Sequence, residues 1–211
     1  LVNGLNHITQ VSAGLYFSVA LNQDGEVYCW GNNRFGQCGL GNNEDIYTPT
    51  RITGLPNIKS ISANGDHVLA LSSNGKVYSW GGNENGELGI GDLISRNQPV
   101  LISSLNENIK AISAGVAHSL ALNAKGDVYS WGNNSFGQLG LGHFSRINLP
   151  QIIPSLHSII EISAGGEHSL VLSARGQVFS FGDNTYGQLG LGNTVTRSTP
   201  KPRSRFSRSA W

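Results

Sequence analysis

The chain of 211 residues contains one glycine-rich segment four times. It reads WGNNRFGQCGLG at 30–41, WGGNENGELGIG at 80–91, WGNNSFGQLGLG at 131–142 and FGDNTYGQLGLG at 181–192. A nucleotide-binding site contains one phosphate-binding loop, and that loop leads into a helix. Here the segment occurs four times, and no helical pattern follows any copy. We therefore interpret the segments as turns of a repeated structural unit, because a period of about 20–50 residues indicates an array of identical units.

Other residues keep a fixed distance from the aromatic residue that starts each segment. These aromatic residues are 50, 51 and 50 positions apart: Trp30, Trp80, Trp131 and Phe181. A glycine precedes each of them by five positions, a serine precedes by eighteen, and a proline follows by nineteen. The chain is thus predicted to be a single domain over residues 1–200, built from repeats at about 1–50, 51–100, 101–151 and 152–200.

Each repeat contains the signals of four strands. The segment HSLALNAKGDVYSW at 118–131 alternates between two faces, turns at a glycine and continues with Val, Tyr and Trp, which predicts a β-hairpin. The pairs Asp24-Gly25 and Asn74-Gly75 suit the positive φ of tight hairpin turns. A strand such as IKAISAG precedes the hairpin, and an extended proline-containing segment such as LPQII follows it. Because proline has no N–H, we expect this fourth strand to lie at a sheet edge.

Four antiparallel strands in about 50 residues are typical of a β-propeller blade. The sequence therefore predicts an all-β fold of about four such blades. We expect the small Ser-Ala-Gly residues that end each first strand to lie where the innermost strands converge on the axis. The glycine-rich segments then connect the third strand of each blade to the fourth, and their glycines permit repeated sharp turns.

The motifs WGxNxxGQLGxG, SAGxxHSLAL and xGxVYSW resemble the regulator of chromosome condensation repeat family over nearly all of residues 1–200. The resemblance implies a propeller, usually of seven blades, that serves as a rigid disc for protein partners. It also implies guanine-nucleotide exchange on the small GTPase Ran, through an insertion that the spacings of 50, 51 and 50 leave no room for. Four repeats predict either a piece of a seven-bladed ring or a short, open arc. We favour the piece, because the chain starts at Leu1, contains no methionine and ends in a non-repetitive segment.

No residue pattern indicates catalysis, a cofactor or a metal site, and an enzyme is not expected. His67, His118 and His168 share one position of the repeat, where the first repeat has Phe17. An aromatic substitute indicates packing, with a hydrogen bond from the imidazole to a neighbouring loop. We further expect one asparagine per repeat to bond to the local backbone and one aromatic residue to pack between blades. The asparagines are Asn33, Asn83, Asn134 and Asn184, and the aromatic residues are Phe35, Phe136 and Tyr186.

Specificity is expected in the loops between the first and second strands, which differ most from repeat to repeat. In a blade these loops share one face with the glycine-rich segments, and loops are where binding residues concentrate. Tyr16, Asp66 and Glu167 are the candidate partner-binding residues. The predicted function is a non-enzymatic protein-interaction scaffold. The alternatives are a guanine-nucleotide exchange factor or regulator for a Ran-type small GTPase, and a chromatin-associated module.

The chain has few charged residues, and they are unevenly distributed along the sequence. Only 13% of residues are charged and the net charge is +1. Residues 1–200 have ten Lys and Arg against thirteen Asp and Glu, a net charge of −3, whereas KPRSRFSRSAW at 201–211 has four basic residues and no acid. We predict that residues 201–211 form a disordered basic tail, which is the one place for weak contact with nucleic acid. A membrane partner is not expected, since no apolar run reaches about 18 residues.

The two cysteines, Cys29 and Cys38, are nine positions apart, which matches no metal-binding spacing. Sister repeats have Ser or Leu at these positions, so we predict two buried, reduced thiols in preference to a disulfide. This prediction favours a cytoplasmic or nuclear location, although the sequence alone does not decide the compartment.

Overall fold

The structure, a computed structural model, describes residues 1–106 and 108–202. Its strands form four separate antiparallel sheets of four strands each, and each sheet follows the order of the chain. We call the sheets blades 1 to 4. The strands of blades 1 and 2 are β1 (Ile8–Ala13), β2 (Phe17–Asn22), β3 (Val27–Gly31), β4 (Ile46–Arg51), β5 (Ile58–Asn64), β6 (His67–Ser72), β7 (Val77–Gly81) and β8 (Arg96–Leu101). Those of blades 3 and 4 are β9 (Ile109–Ala114), β10 (His118–Asn123), β11 (Val128–Gly132), β12 (Ile147–Ile152), β13 (Ile159–Ala164), β14 (His168–Ser173), β15 (Val178–Gly182) and β16 (Arg197–Pro202).

The predicted all-β propeller fold is confirmed, but the hairpin turns differ from the expected Asp-Gly and Asn-Gly pairs because Asp24 and Asn74 do not adopt a positive φ. The second and third strands of each blade pair as a hairpin, and the fourth strand, which contains the proline, lies at the sheet edge. In blade 1 the hairpin loop spans residues 23–25, closed by a bond from Asn22 N to Glu26 O (3.0 Å). Gly25 alone has a positive φ there, of 78°. The turn is therefore a three-residue loop that needs glycine at its last position.

The apolar cores lie between blades. One core joins the second and third strands of blade 1 to blade 2, the next joins blade 2 to blade 3, and the last joins blade 3 to blade 4. Trp80 and Trp131 lie in the first two of these cores and are fully buried. Burying one large apolar side chain stabilises a fold by about 1.5–3 kcal/mol, so each interblade core stabilises both of the blades that it joins. Among the described residues, no core joins blade 4 to blade 1.

The prediction of reduced thiols is wrong, because Cys29 and Cys38 form a disulfide with a Cα–Cα distance of 5.2 Å. The glycine-rich segment folds back across the third strand, which brings residues nine positions apart together. In blade 2 the equivalent residues are also in contact, where Ser79 Oγ donates to Leu88 O at 2.7 Å. The disulfide thus replaces a contact that recurs in the fold, which the spacing alone did not reveal.

The domain extends slightly beyond its predicted end. Lys201 and Pro202 belong to β16, so the first two residues of the predicted tail are part of blade 4. The rest of the tail, residues 203–211, lies outside the described residues. Within residues 1–106 and 108–202 there is no helix of sufficient length and apolar character to span a membrane.

Candidate functional site

The loops of each blade are divided between two faces. Tyr16 O accepts a hydrogen bond from Asn32 N (2.9 Å), which joins the loop after the first strand to the loop after the third. On the opposite face, the hairpin between β6 and β7 of blade 2 bonds to the loop before β5, through Ser73 N and Asn57 O (2.9 Å). We call the first of these surfaces the loop face; it is formed by residues 14–16, 65–66, 115–117 and 165–167 with the glycine-rich segments. The expected division of loops is confirmed.

The three candidate residues occupy one equivalent position of the loop face. In each blade the backbone carbonyl at this position accepts a bond from the residue after the third strand: Asp66 O from Gly82 N (2.8 Å), Ala117 O from Asn133 N (2.8 Å) and Glu167 O from Asp183 N (2.8 Å). The carbonyl therefore has a structural role, whereas the side chain changes from Tyr to Asp, Ala and Glu. Tyr16 is 72% exposed and Glu167 is also exposed. The structure brings these side chains onto one face without placing them in one pocket.

Asp66 differs from the other two candidates because it lines a cavity. The cavity has a volume of about 180 Å³ and lies where blades 1, 2 and 3 meet, between Phe35, Asp66, Glu84 and Val116. Asp66 Oδ1 accepts a bond from Gln37 Nε2 (3.2 Å) of blade 1. Burial raises the pKa of the Asp66 carboxyl, and the negative charge of Glu84 adds to this effect. The cavity therefore has an acidic lining beside one aromatic ring.

The conserved shape of the loop face depends on one buried asparagine per blade. Asn134 is fully buried, and its Nδ2 donates to His143 O (2.8 Å) and Ser145 O (3.0 Å) while its Oδ1 accepts from Leu139 N (3.0 Å). The same bonds are made by Asn33, Asn83 and Asn184. The prediction that these asparagines bond to the backbone is confirmed. These bonds hold the two sides of the glycine-rich segment together, so the segment forms a compact turn.

The histidines join adjacent blades. Ser119 Oγ donates its only hydrogen to Glu87 O (2.8 Å), so His67 Nε2 must be the donor in its 2.9 Å bond to that hydroxyl. His118 makes the same bond to Ser169 (2.9 Å). Burial lowers the pKa of His67 to about 4 and that of His118 to about 3, so both imidazoles are neutral near pH 7. The predicted structural role is confirmed, with a strand serine of the next blade, rather than a loop, as the partner.

The sequence contains one indication of this partner. Phe17 takes the histidine position in blade 1, and the serine position of blade 2 is occupied by Val68. Phe17 and Val68 lie together in the first core, so an apolar pair replaces the polar pair at that junction. The residues at these two positions are therefore matched across each junction.

The prediction that the aromatic residues pack between blades holds only in part. Phe35 is half-buried and lines the cavity, but Phe136 is 37% exposed and Tyr186 is 90% exposed. Tyr186 is exposed because no described residue follows blade 4 to cover it. Within residues 1–106 and 108–202, no three His, Cys, Asp or Glu side chains are arranged to hold a metal ion.

The sequence of residues 2–210 matches the family model of the RCC1-like domain. The chain belongs to the RCC1-like domain family. This family is built on the chromosome-condensation-regulator repeat, so the resemblance drawn from the repeated motifs is confirmed. RCC1-like propellers are protein-interaction or regulator domains, and the function of this chain falls within that general class.

Known proteins with this domain show similarity over much of the chain. The probable E3 ubiquitin-protein ligase HERC4 of Mus musculus is 39% identical over 72% of the chain and 10% of its own length. The X-linked retinitis pigmentosa GTPase regulator of Homo sapiens is 49% identical over 65% of the chain and 14% of its own length. The structure of Prp20p from Saccharomyces cerevisiae, described with its binding to Gsp1p and histones, superposes with a TM-score of 0.85 at 25% identity over 98% of the chain and 53% of that protein. The RCC1-like chain thus spans about half of this solved structure and a smaller part of the two relatives.

Proposed function

We propose that this RCC1-like domain is a non-enzymatic protein-interaction scaffold whose loop face contacts the partner through Tyr16, Asp66 and Glu167. One observation carries the proposal. At this position the backbone makes the same hydrogen bond in every blade, while the side chain differs in size and charge. A rigid scaffold with variable side chains suits recognition of one partner surface, and exposed tyrosines are frequent binding anchors.

The proposal is tested with two triple variants of equal size. The first changes Tyr16, Asp66 and Glu167 to alanine, and the control changes Asp24, Lys76 and Arg175, which lie on the opposite hairpin face. Partners captured by the wild-type chain from a lysate are quantified for both variants by mass spectrometry. We expect the loop-face variant to lose at least about tenfold in recovery, as removal of two or more anchors predicts. Equal recovery by both variants contradicts the proposal.

A second candidate function is regulation of a small GTPase. Two similar proteins favour it, since one is named a GTPase regulator and the other is described with its binding to Gsp1p. The acidic cavity beside Asp66 supports it further, because a basic segment of a GTPase would complement its charge. The uniform repeat spacing, which leaves no room for an inserted wedge, favours binding over nucleotide exchange.

Nucleotide release separates these two functions. A Ran-type GTPase loaded with a fluorescent guanine nucleotide is mixed with the chain, and the release rate is measured beside a titration of binding. Binding without faster release supports the scaffold. Accelerated release that is lost in the Asp66→Ala variant supports exchange and contradicts the non-catalytic proposal.

A third candidate, chromatin association, is favoured by the four basic residues of positions 201–211 and by the histone binding described with Prp20p. Retention on DNA at low salt is compared for the whole chain and for a chain that ends at residue 202, which keeps β16 intact. Contacts between basic residues and phosphates weaken as salt rises. Retention that is equal for both chains removes this candidate.

A further inference from the structure

The second repeat differs from the other three at three positions of its glycine-rich segment. Counted from the aromatic residue that starts the segment, the other repeats have Asn or Asp at the third position, an aromatic residue at the sixth and Gln at the eighth. The second repeat has Gly82, Asn85 and Glu87 at these positions. All three residues line the cavity beside Asp66, where blades 1, 2 and 3 meet. The departures from the repeat pattern therefore lie together in space.

Two of these changes remove side-chain volume from the cavity. Gly82 has no side chain, and Asn85 is smaller than an aromatic residue. Phe35 of blade 1 lines the cavity together with Asp66 of the next blade. Because the blades are equivalent, an aromatic ring at position 85 would extend in the same way toward Ala117 of blade 3, which also lines the cavity. The cavity has a volume of about 180 Å³, whereas a single water molecule needs about 10–15 Å³, so the end of a long side chain can enter it.

The third change replaces an amide with a carboxylate. In blades 1, 3 and 4 the glutamine donates to the Asn or Asp at the third position of its segment: Gln37 Nε2 to Asn32 Oδ1 (2.9 Å), Gln138 Nε2 to Asn133 Oδ1 (3.1 Å) and Gln188 Nε2 to Asp183 Oδ2 (2.7 Å). This bond is absent from blade 2, because Gly82 has no acceptor and Glu87 has no side-chain N–H. The Glu87 carboxylate instead accepts from the backbone N–H and the side-chain amide of Asn85, at 2.9 and 2.8 Å. A donor of the repeat has thus been replaced by a charged acceptor.

The charged residues that line the cavity are all acidic. They are Asp66, Glu84 and Glu87, and the described lining includes no Lys or Arg. Burial and the charge of Glu84 raise the pKa of the Asp66 carboxyl, and the opposing effects of Arg34 and Gln37 offset this rise only in part. Within the described residues, the Glu84 side chain forms no hydrogen bond or ion pair. A bound cation would therefore lower the free energy of these carboxylates.

His67 supplies a second, independent feature of the cavity. It lines the cavity and is 1% exposed. Its Nε2 donates to Ser119, so Nδ1 is the acceptor of a neutral ring, and this atom has no hydrogen-bond partner among the described residues. Nδ1 of His118 also lacks a partner, but His118 does not line the cavity. A buried acceptor without a partner is costly, so the lining favours a ligand with N–H donors.

A guanidinium group matches this combination of acceptors and an aromatic ring. It has five N–H donors and no acceptor, binds carboxylates through two parallel bonds and stacks on aromatic faces. An ammonium group is more strongly hydrated and has no planar face to place against Phe35. A metal ion fits less well, because no three acidic, His or Cys side chains of the described residues are arranged to hold one. The separated carboxylates suit a cation that is larger and planar.

We propose that the cavity binds one arginine side chain of a partner protein, with the guanidinium against Phe35 and the carboxylates of Asp66 and Glu84. The inference rests on the proposed function, since a partner must approach the loop face for its arginine to enter. It narrows that function, because it assigns a chemical class to the partner residue that Asp66 contacts. Tyr16 and Glu167 do not line this cavity and are not part of the arginine site.

Short peptides test the site in the absence of a partner. The probe is a pentapeptide with one arginine between glycines and both ends blocked, and two matched peptides have lysine or citrulline in its place. Citrulline has the shape of arginine without the charge. Binding to the 211-residue chain is followed by NMR through the backbone amide shifts of Gly82 and Ala117.

We expect the arginine peptide to bind with a Kd on the order of 10 mM, as a single small group predicts. The lysine and citrulline peptides should bind at least about fivefold more weakly, because they lack the planar donors or the charge. No saturable shift with the arginine peptide up to about 50 mM overturns the proposal, as does equal binding of the lysine or citrulline peptide.

Variants that copy other repeats test the lining residues. Asn85→Phe introduces the ring found in blades 1 and 3 and fills the cavity while every carboxylate remains, and Asp66→Ala copies Ala117 and removes one charge. Both should weaken arginine binding at least about fivefold. The control Glu44→Gln removes an exposed carboxylate outside the cavity and should bind like wild type. Unchanged binding in either cavity variant, or an equal loss in the control, contradicts the site.

The peptide titration and the capture of partners separate the arginine site from the proposed function. If the arginine peptide does not bind while the loop-face triple variant loses its partners, the arginine site is wrong and the scaffold function stands. If the arginine peptide binds while the triple variant keeps its partners, the arginine site stands and the proposed function is wrong.

Discussion

At the scale of single residues, the buried asparagines show how a side chain can replace secondary structure. Asn134 is fully buried and its amide bonds to backbone groups on both sides of the glycine-rich segment. The segment contains left-handed glycines at 137, 140 and 142, so it cannot pair as a regular strand. One amide side chain therefore satisfies backbone groups that would otherwise be buried without partners.

Asn134→Ala is expected to destabilise the domain by about 3 kcal/mol. The substitution leaves Leu139 N–H and two carbonyls without their partner, and each unsatisfied buried group costs about 1–3 kcal/mol. The free energy of unfolding is measured by urea denaturation. Asn43→Ala is the control, because Asn43 is exposed and should lose less than about 1 kcal/mol. A similar loss in both variants contradicts the role given to Asn134.

At the scale of elements, the same glycine-rich segment is held in two ways. In blades 2, 3 and 4 a serine hydroxyl of the third strand donates to the carbonyl nine residues later: Ser79 to Leu88, Ser130 to Leu139 and Ser180 to Leu189. In blade 1 the residues at these positions form the Cys29–Cys38 disulfide. A disulfide constrains the unfolded chain as well as the folded one, so this segment is stabilised by a different mechanism.

Reduction is expected to lower the stability of the wild-type chain by about 2–3 kcal/mol, the value for a short closed loop. The variant Cys29→Ser with Cys38→Leu reproduces the pair of the other blades and should not respond to reductant. Urea midpoints are measured with and without dithiothreitol for both proteins. An identical midpoint for the wild type in the two conditions contradicts a stabilising disulfide.

The elements were also the part of the fold that could be predicted best. Fixed spacings from Trp30, Trp80 and Trp131 located every strand and the shared face of the variable loops, because each repeat must bury the same surfaces. The Cys29–Cys38 contact was not predictable, since it depends on how far the segment folds back. The exposure of Tyr186 and the half-buried state of Asp66 also depend on which neighbouring blades are present, and repeat spacing contains no such information.

At the scale of the whole molecule, blade 2 is joined to blade 3 and blade 3 to blade 4 by neutral, fully buried imidazoles. The pKa of His67 lies at about 4 and that of His118 at about 3, both lowered by burial. In the unfolded chain a histidine has its ordinary pKa of about 6.5. The unfolded chain therefore takes up protons first as pH falls. The stability that depends on neutral imidazole is complete above about pH 6.5 and is lost as pH decreases toward these folded values.

We expect each of these histidines to reduce the free energy of unfolding by about 2 kcal/mol between pH 7 and pH 5. The variant His67→Phe with Ser119→Val copies the Phe17–Val68 pair. It should remove the contribution of His67 to the pH dependence of the free energy of unfolding. Urea unfolding at the two pH values measures the difference. His157→Phe, which changes an exposed histidine, is the control and should retain the wild-type difference. A double variant with the full pH dependence contradicts this assignment.

The location of every core between blades has a consequence for how such genes can change. Because each apolar core of the described residues lies between two complete sheets, a duplication or deletion of one whole period adds or removes one blade together with one junction of the same kind. A duplication or deletion that begins or ends inside a blade would instead leave a sheet without some of its four strands. Recombination in steps of about 50 residues is thus the change in length that this architecture tolerates.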